Sequence, residues 1–341
     1  MKLPRPDEIT RSLEDMLRRR GERGGSASRE RDESASRANR APRERRARKG
    51  ERKPGARHNL LSRAITGLSL SGLTALLIII HPHAFALEAM FFTVIGLKEM
   101  CDLASRNGVS PSYPVALPCS LAILAAASWA PAHTPLVLAL SVIFTLTCMT
   151  FRRRPAAAAQ AGGFRGARYL DGIVTVFSFL YVGWLFGFCL QVRNLPGRVA
   201  GPNGLTIDAG AAYLIMLISV TAFSDVGAFT FGRLFGRHPL APEISPGKTV
   251  EGTFGGILTS AVGAVAFGLW LGLAPAACAL TGVLLSVAGQ LGDLWESMMK
   301  RDAGIKDSGR ALAGHGGVLD RCDSLFYAMP VGYLLLTYVL L

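Results

Sequence analysis

Apolar residues are spread unevenly along this chain of 341 residues. After a polar opening stretch they gather in nine blocks, at approximately 60–80, 84–100, 113–130, 134–151, 169–192, 211–236, 253–273, 275–296 and 323–341. Each block approaches the roughly 20 residues an α-helix needs to cross a hydrocarbon core. The breaks carry turn formers: His81-Pro82, Pro111, Pro131, Pro196-Gly197 and Pro275. Small residues inside the blocks, such as Gly255, Gly256, Ser260 and Gly263, suit close helix packing in lipid. The pattern predicts an all-α, polytopic integral membrane protein of about nine transmembrane helices.

Composition sharpens this picture. Half of the residues are hydrophobic and the mean hydropathy is +0.32, although residues 1–57 are almost wholly polar. Those 57 residues hold 19 of the 37 Lys and Arg but only 10 of the 24 Asp and Glu. The net charge of +13 therefore belongs mostly to a tail. From Gly21 to Arg57 that tail has too few large apolar residues to bury a core, and it is expected to be a disordered basic arm. Ile9, Leu13, Met16 and Leu17 at helical spacing leave open a short amphipathic helix on anionic lipid. No aromatic residue interleaves with its arginines, so no nucleic acid partner is expected. No cleavable signal peptide is expected, because the first apolar block begins only near Leu60. The six cysteines are scattered, with no CxxC pair, and read as small buried apolar residues.

Charge also orients the chain. With the tail on the cytoplasmic side, the cytoplasmic loops follow spans two, four, six and eight. They carry Arg152, Arg153, Arg154, Arg165 and Arg168, then Arg237 and Lys248, then Lys300, Arg301, Lys306, Arg310 and Arg321. Of the opposite loops only 193–204 has any Lys or Arg, namely Arg193 and Arg198. That bias predicts a cytoplasmic N-terminus. The organisation expected is a basic tail at 1–57, N-terminal spans at 58–205, and a C-terminal region at 206–341 where the chemistry gathers.

Two of these loops hold more chemistry than a connector needs. The first is Ser245-Pro246-Gly247-Lys248-Thr249-Val250-Glu251-Gly252. Its Gly-Lys-Thr is not a Walker A loop, which requires Gly at Pro242 and a preceding strand. A lysine and hydroxyls on a constrained turn still suit a phosphate. The second runs from Asp293 to Asp323. Asp293, Glu296, Ser297 and Lys300 share one helical face, as do Asp320, Asp323 and Ser324. Between them lie Lys306-Asp307 and the turn Gly314-His315-Gly316-Gly317. Carboxylates at facing helix ends can hold a hard cation such as Mg²⁺. Nearby lysines and arginines would bear phosphate charge, and the glycines admit backbone N–H groups to phosphate oxygens. Asp225, the one acid in the run 211–236, calls for a polar cavity or a partner. Glu88 raises the same question without further context.

These residues resemble the signature of the CDP-diacylglycerol synthases, or phosphatidate cytidylyltransferases. The likeness rests on Ser297-x-Met299-Lys300-Arg301, Lys306-Asp307-x-Gly309 and His315-Gly316-Gly317-x-x-Asp320-Arg321-x-Asp323, with Gly292-Asp293 just upstream. Asp225-x-x-Ala228, Gly232-Arg233 and the Ser245–Gly252 loop also fit. Thr230, Gly247, Ala313 and Cys322 depart from the pattern without removing a charged or ligating group.

The resemblance implies transfer of a cytidylyl group from CTP to phosphatidate, with release of pyrophosphate. It implies Mg²⁺ on Asp293 and Asp320, leaves a second cation open, and suggests a homodimer in a lipid bilayer. The bacterial plasma membrane is the expected location. Lys248, Lys300, Arg301, Lys306 and Arg321 are then candidates for phosphate contacts. Asp225, Ser245, Thr249, Glu251, Ser297, Asp307, Gly316, Gly317 and Asp323 are candidate substrate contacts. His315 either assists the leaving group or holds the turn. A CTP-dependent enzyme with another lipid acceptor, a transporter and a membrane anchor remain as alternatives.

Overall fold

A computed structural model describes residues 56–153, 168–200, 206–309 and 316–341. Tail residues 1–55, loop residues 154–167 and His315 lie outside the described residues. The chain divides into two units, Met1–Ser62 and Arg63–Leu341. The second contains every candidate site residue.

The nine apolar blocks become nine helical stretches among the described residues. They are α1 (Ala56–Ile80), α2 (Pro82–Arg106), α3 (Tyr113–Trp129), α4 (Thr134–Phe151), α5 (Arg168–Arg193), α6 (Ala209–Phe235), α7 (Val250–Trp270), α8 (Pro275–Asp302) and α9 (Leu319–Leu340). α5 contains a π-turn at Leu180–Trp184, and α9 ends in another at Leu336–Leu340. Two short antiparallel hairpins complete the described elements. β1 (Arg198–Ala200) pairs with β2 (Thr206–Asp208), and β3 (Pro239–Ala241) pairs with β4 (Ser245–Thr249).

The six stretches from α4 onward are long and apolar enough to cross a bilayer, α4 together with the turn Pro131–His133 before it. Their outer faces carry exposed Ile143, Phe229, Val262 and Leu269, as lipid contact requires. α1 and α3 have shorter apolar runs, and α2 interrupts its own with Glu88, Lys98, Glu99 and Asp102. The chain is an integral membrane protein.

The helix starts follow local rules. Proline lies in the first turn of α2, α3, α4 and α8, where its missing N–H costs nothing. Thr249 caps α7 by accepting the Gly252 N–H at 3.1 Å. Alternation of direction is recorded in contacts at both ends. At one end Arg152 Nη1 donates to Ser110 O at 2.6 Å, and Ser110 N donates to Asp171 Oδ1 at 2.8 Å. This ties the α2–α3 loop to the end of α4 and the start of α5. At the other end the buried Arg193 Nε donates to Ile78 O at 2.6 Å, and Arg193 pairs with Asp208 at 3.3 Å. This joins the ends of α1 and α5 to the start of α6.

Helices α6, α7 and α8 pack along a seam of small and polar side chains. Ser224 and Ser286 lie 2.6 Å apart, and Gln290 donates to Ser286 at 2.9 Å. Ser260 donates to Val220 O at 3.2 Å and to Gly282 O at 2.9 Å. Hydroxyls satisfied in this way avoid the penalty of an unpaired polar group in an apolar medium. The tightest approach to backbone along this seam is at Gly282, where an added methyl would sit 2.6 Å from Ala261 Cα and Ser260 O. Backbone cannot yield there, so Gly282→Leu should force α7 and α8 apart and destabilise the protein by about 1–3 kcal/mol. Thermal unfolding in detergent checks this, and an unchanged midpoint would show that the seam is looser than drawn. All six cysteines are free, four of them buried, as their scatter suggested.

Candidate active site

The candidate site forms where the end of α8, the start of α9 and the β3–β4 hairpin meet. α8 supplies it because steps of three and four residues place Asp293, Glu296, Ser297 and Lys300 on one face. Its last turn also carries Lys300 and Arg301, favourably placed at the negative end of the helix dipole. α9 opens with Asp320 in its first turn and brings Asp323 three residues later. The hairpin is pinned to α8 by Arg301, whose Nε donates to Ile244 O at 3.1 Å while Nη1 donates to Ile305 O at 3.3 Å.

The acids fall into two groups. One oxygen from each of Asp293, Glu296 and Asp323 lies within 4.8 Å of the others. Ionised together, they would repel by roughly 3 kcal/mol per pair at an effective dielectric near 20. A divalent cation among them would remove that repulsion, and oxygen-only donors suit Mg²⁺. Asp320 is engaged differently. Its Oδ1 takes Lys300 Nζ at 2.8 Å, and its Oδ2 accepts Ser308 N at 3.0 Å and Gly317 N at 2.9 Å. The pair expected from the sequence, Asp293 and Asp320, thus divides. Asp293 joins the acidic trio, and Asp320 gathers a lysine and two loop amides.

Two lysines set the counter-charge. Lys248, at the end of the hairpin, pairs with Asp293 Oδ2 at 2.8 Å. Lys300 bridges Glu296 Oε2 at 2.5 Å and Asp320 Oδ1. Ser297 donates to Asp293 Oδ1 at 3.3 Å. Asp225 on α6 is exposed and lies in the field of both Asp293 and Lys248. Eight residues singled out by sequence therefore converge: Asp225, Lys248, Asp293, Glu296, Ser297, Lys300, Asp320 and Asp323.

Others are placed around them. Thr249 is spent on the α7 cap. Glu251 takes His238 Nδ1 at 2.6 Å and the Arg237 and His238 amides at 3.1 and 3.3 Å, holding the hairpin to its helix. Ser245 begins β4. Lys306, Asp307 and Arg321 are exposed. Gly316 has a φ of +85° and lies beside Asp320.

Two residues escaped the sequence reading. Glu99 on α2 reaches the start of α9 across 220 positions of chain. Tyr181, in the α5 π-turn, brings a buried hydroxyl into the field of Glu296 and Asp323. Glu99 is one of several charged residues on α2 with no motif around it, and a tyrosine in an apolar block gives no spacing to read.

Comparison with known proteins bears on this arrangement. Residues 61–339 match the model of the cytidylyltransferase family. The chain belongs to that family. A phosphatidate cytidylyltransferase of Staphylococcus epidermidis is 39% identical over 176 residues, covering 49% of this chain and 60% of the relative. One of Staphylococcus aureus is 38% identical over 170 residues, covering 49% and 60%. The uncharacterised protein YnbB of Escherichia coli K12 is 36% identical over 167 residues, covering 49% and 51%. The matched stretch thus spans little more than half of these curated relatives.

Proposed function

We propose that the protein transfers the cytidylyl group of CTP to phosphatidate, forming CDP-diacylglycerol and pyrophosphate. The observation that carries this reading is the acidic trio Asp293, Glu296 and Asp323, flanked by Lys248 and Lys300 at the ends of two membrane helices. A lipid phosphate and a soluble triphosphate can meet only at such a boundary. The relatives' names supply the acceptor class.

The nucleophile is a phosphate monoester oxygen of the lipid, which is already ionised near neutral pH. It attacks the α-phosphorus of CTP as the bond from that phosphorus to the bridging oxygen breaks, and pyrophosphate leaves with the electron pair. No general base is required. Catalysis rests on alignment and on neutralising charge. Bound Mg²⁺ would supply charge neutralisation at the nucleotide phosphates. Asp293 would hold it, with Glu296 and Asp323 as neighbouring oxygen donors. Asp320, the other ligand implied by the sequence likeness, would act mainly by fixing Lys300 and the loop amides. With Asp293 engaged as a metal ligand, Lys248, its present partner at 2.8 Å, would be free to meet a phosphate oxygen. Lys306, Arg301 and Arg321 would face the remaining phosphate charge, and His315 the leaving group.

The charge bias of the loops supports a cytoplasmic N-terminus and a site facing nucleotide pools, in a bacterial plasma membrane. Assembly as a homodimer belongs to the same proposal. The acceptor is the sharpest variable. Purified protein given CTP, Mg²⁺ and phosphatidate should form a cytidine-bearing lipid. Diacylglycerol or a polyprenyl phosphate in its place should give less than about a tenth of that rate, since each alters the phosphate or lipid contacts a fitted site makes. Preference for either alternative would overturn the acceptor.

A further inference from the structure

α9 begins inside the protein, so its first amides need partners that water cannot provide. The residue before it is Val318, which has no side-chain acceptor, and no local cap is formed. Two carboxylates fill the gap. Asp320 reaches back to the Gly317 N–H at 2.9 Å, and Glu99 Oε2 accepts the Leu319 N–H at 2.9 Å. Glu99 is 6% exposed, and its helix neighbours Lys98 and Asp102 pair with each other on the exposed side instead.

Glu99 also meets the loop that leaves α8. A methyl placed on Gly309 or on Gly317 would strike its carboxylate, and the Ser308 hydroxyl borders the same space. One side chain from α2 therefore touches described residues on either side of 310–315, Gly309 before them and Gly317 and Leu319 after. Ser308 donates in turn to Asp320, which holds Lys300. Displacement of Leu319 moves Asp320 one residue on and Asp323 four residues on.

We infer that Glu99 is a positioning residue, a carboxylate clamp from the N-terminal helices that fixes where the α8–α9 segment presents Asp320 and Lys300. The inference takes its catalytic consequence from the cytidylyltransferase reading, while the clamp itself is a matter of backbone protection. Burying a carboxylate in an apolar helix is unfavourable unless it is matched by such donors. Gln is isosteric and keeps an acceptor oxygen for the Leu319 amide, whereas Ala keeps none.

The test uses full-length protein in detergent with two variants and two readouts. Glu99→Ala should lose about 10- to 100-fold in kcat, the range for removing a group that orients a metal or phosphate ligand. Glu99→Gln should recover most of that loss. Hydrogen exchange at residues 316–319 should quicken at least about tenfold in Glu99→Ala, as expected for loss of a buried amide's partner, with α6 and α7 unchanged. Wild-type exchange and turnover in Glu99→Ala overturn the inference. Loss of protection throughout α6–α9 also overturns it, because Glu99 then supports the fold at large. A Gln variant as impaired as Ala in both readouts overturns the acceptor role. Absence of turnover in the wild type counts against the proposed function alone, since exchange still reports the clamp.

Discussion

Asp293→Asn lowers pyrophosphate release by about 10²- to 10³-fold, the cost typical of removing one element that stabilises developing charge. The substitution keeps shape and polarity while deleting one negative charge of the acidic trio. It also frees Lys248, whose ammonium pairs with Asp293 at 2.8 Å. Two signatures separate this from unfolding. The variant should need more Mg²⁺ for its residual activity, because a cation ligand is lost. Its thermal midpoint should stay close to that of the wild type, since Asp293 is partly exposed and three crowded acids become two. Residual activity within tenfold of wild type, at an unchanged Mg²⁺ requirement, would remove Asp293 from the site.

Lys300→Met acts through the fold first. Lys300 is 11% exposed and bridges Glu296 at 0% and Asp320 at 11%. Removing one member of a buried charge pair typically costs about 3–5 kcal/mol, because the partner is left uncompensated. Here two carboxylates lose their ammonium at once. The unfolding midpoint in detergent should fall, and activity should disappear. Adding Glu296→Gln to Lys300→Met should recover part of the stability but none of the activity, since one uncompensated charge is gone and the phosphate contact is still missing. Lys300→Arg should fall between. It keeps the charge, but its planar fork does not reproduce a compact ammonium between two helices. A stable, inactive Lys300→Met would show the bridge to be weak and leave Lys300 a purely catalytic role.

The helices were legible because lipid imposes length and composition together. Each block of about 20 apolar residues between proline or glycine breaks became a helix, α2 included despite its five charged residues. The C-terminal half of the site was legible for a related reason. Asp293, Glu296 and Lys300 repeat at helical spacing, so one helix face could be drawn before any fold was known. Hydrogen bonding across the chain was not legible. Asp320 looked equivalent to Asp293 in sequence, yet it faces two loop amides and Lys300, and the difference arises where α9 begins. Thr249 read as a substrate contact because hydroxyls on a constrained turn suit a phosphate, and Glu251 did so only through the family likeness. Folding uses both on their own backbone, as a helix cap and a hairpin tie. Glu99 was hidden most deeply, since its partner lies 220 residues away and only tertiary packing brings them together.

The most direct test follows the phosphorus of CTP. Purified protein in detergent is given phosphatidate, Mg²⁺ and CTP labelled either at the α- or at the γ-phosphorus. Transfer of a cytidylyl group sends the α-label into the lipid product and the γ-label into pyrophosphate, in equal amounts. Both should vanish together in Asp293→Asn. Label from the γ-position appearing in lipid would mean phosphoryl transfer instead, and no label in lipid from either position, with folded protein, would contradict the assignment of this site to nucleotidyl transfer.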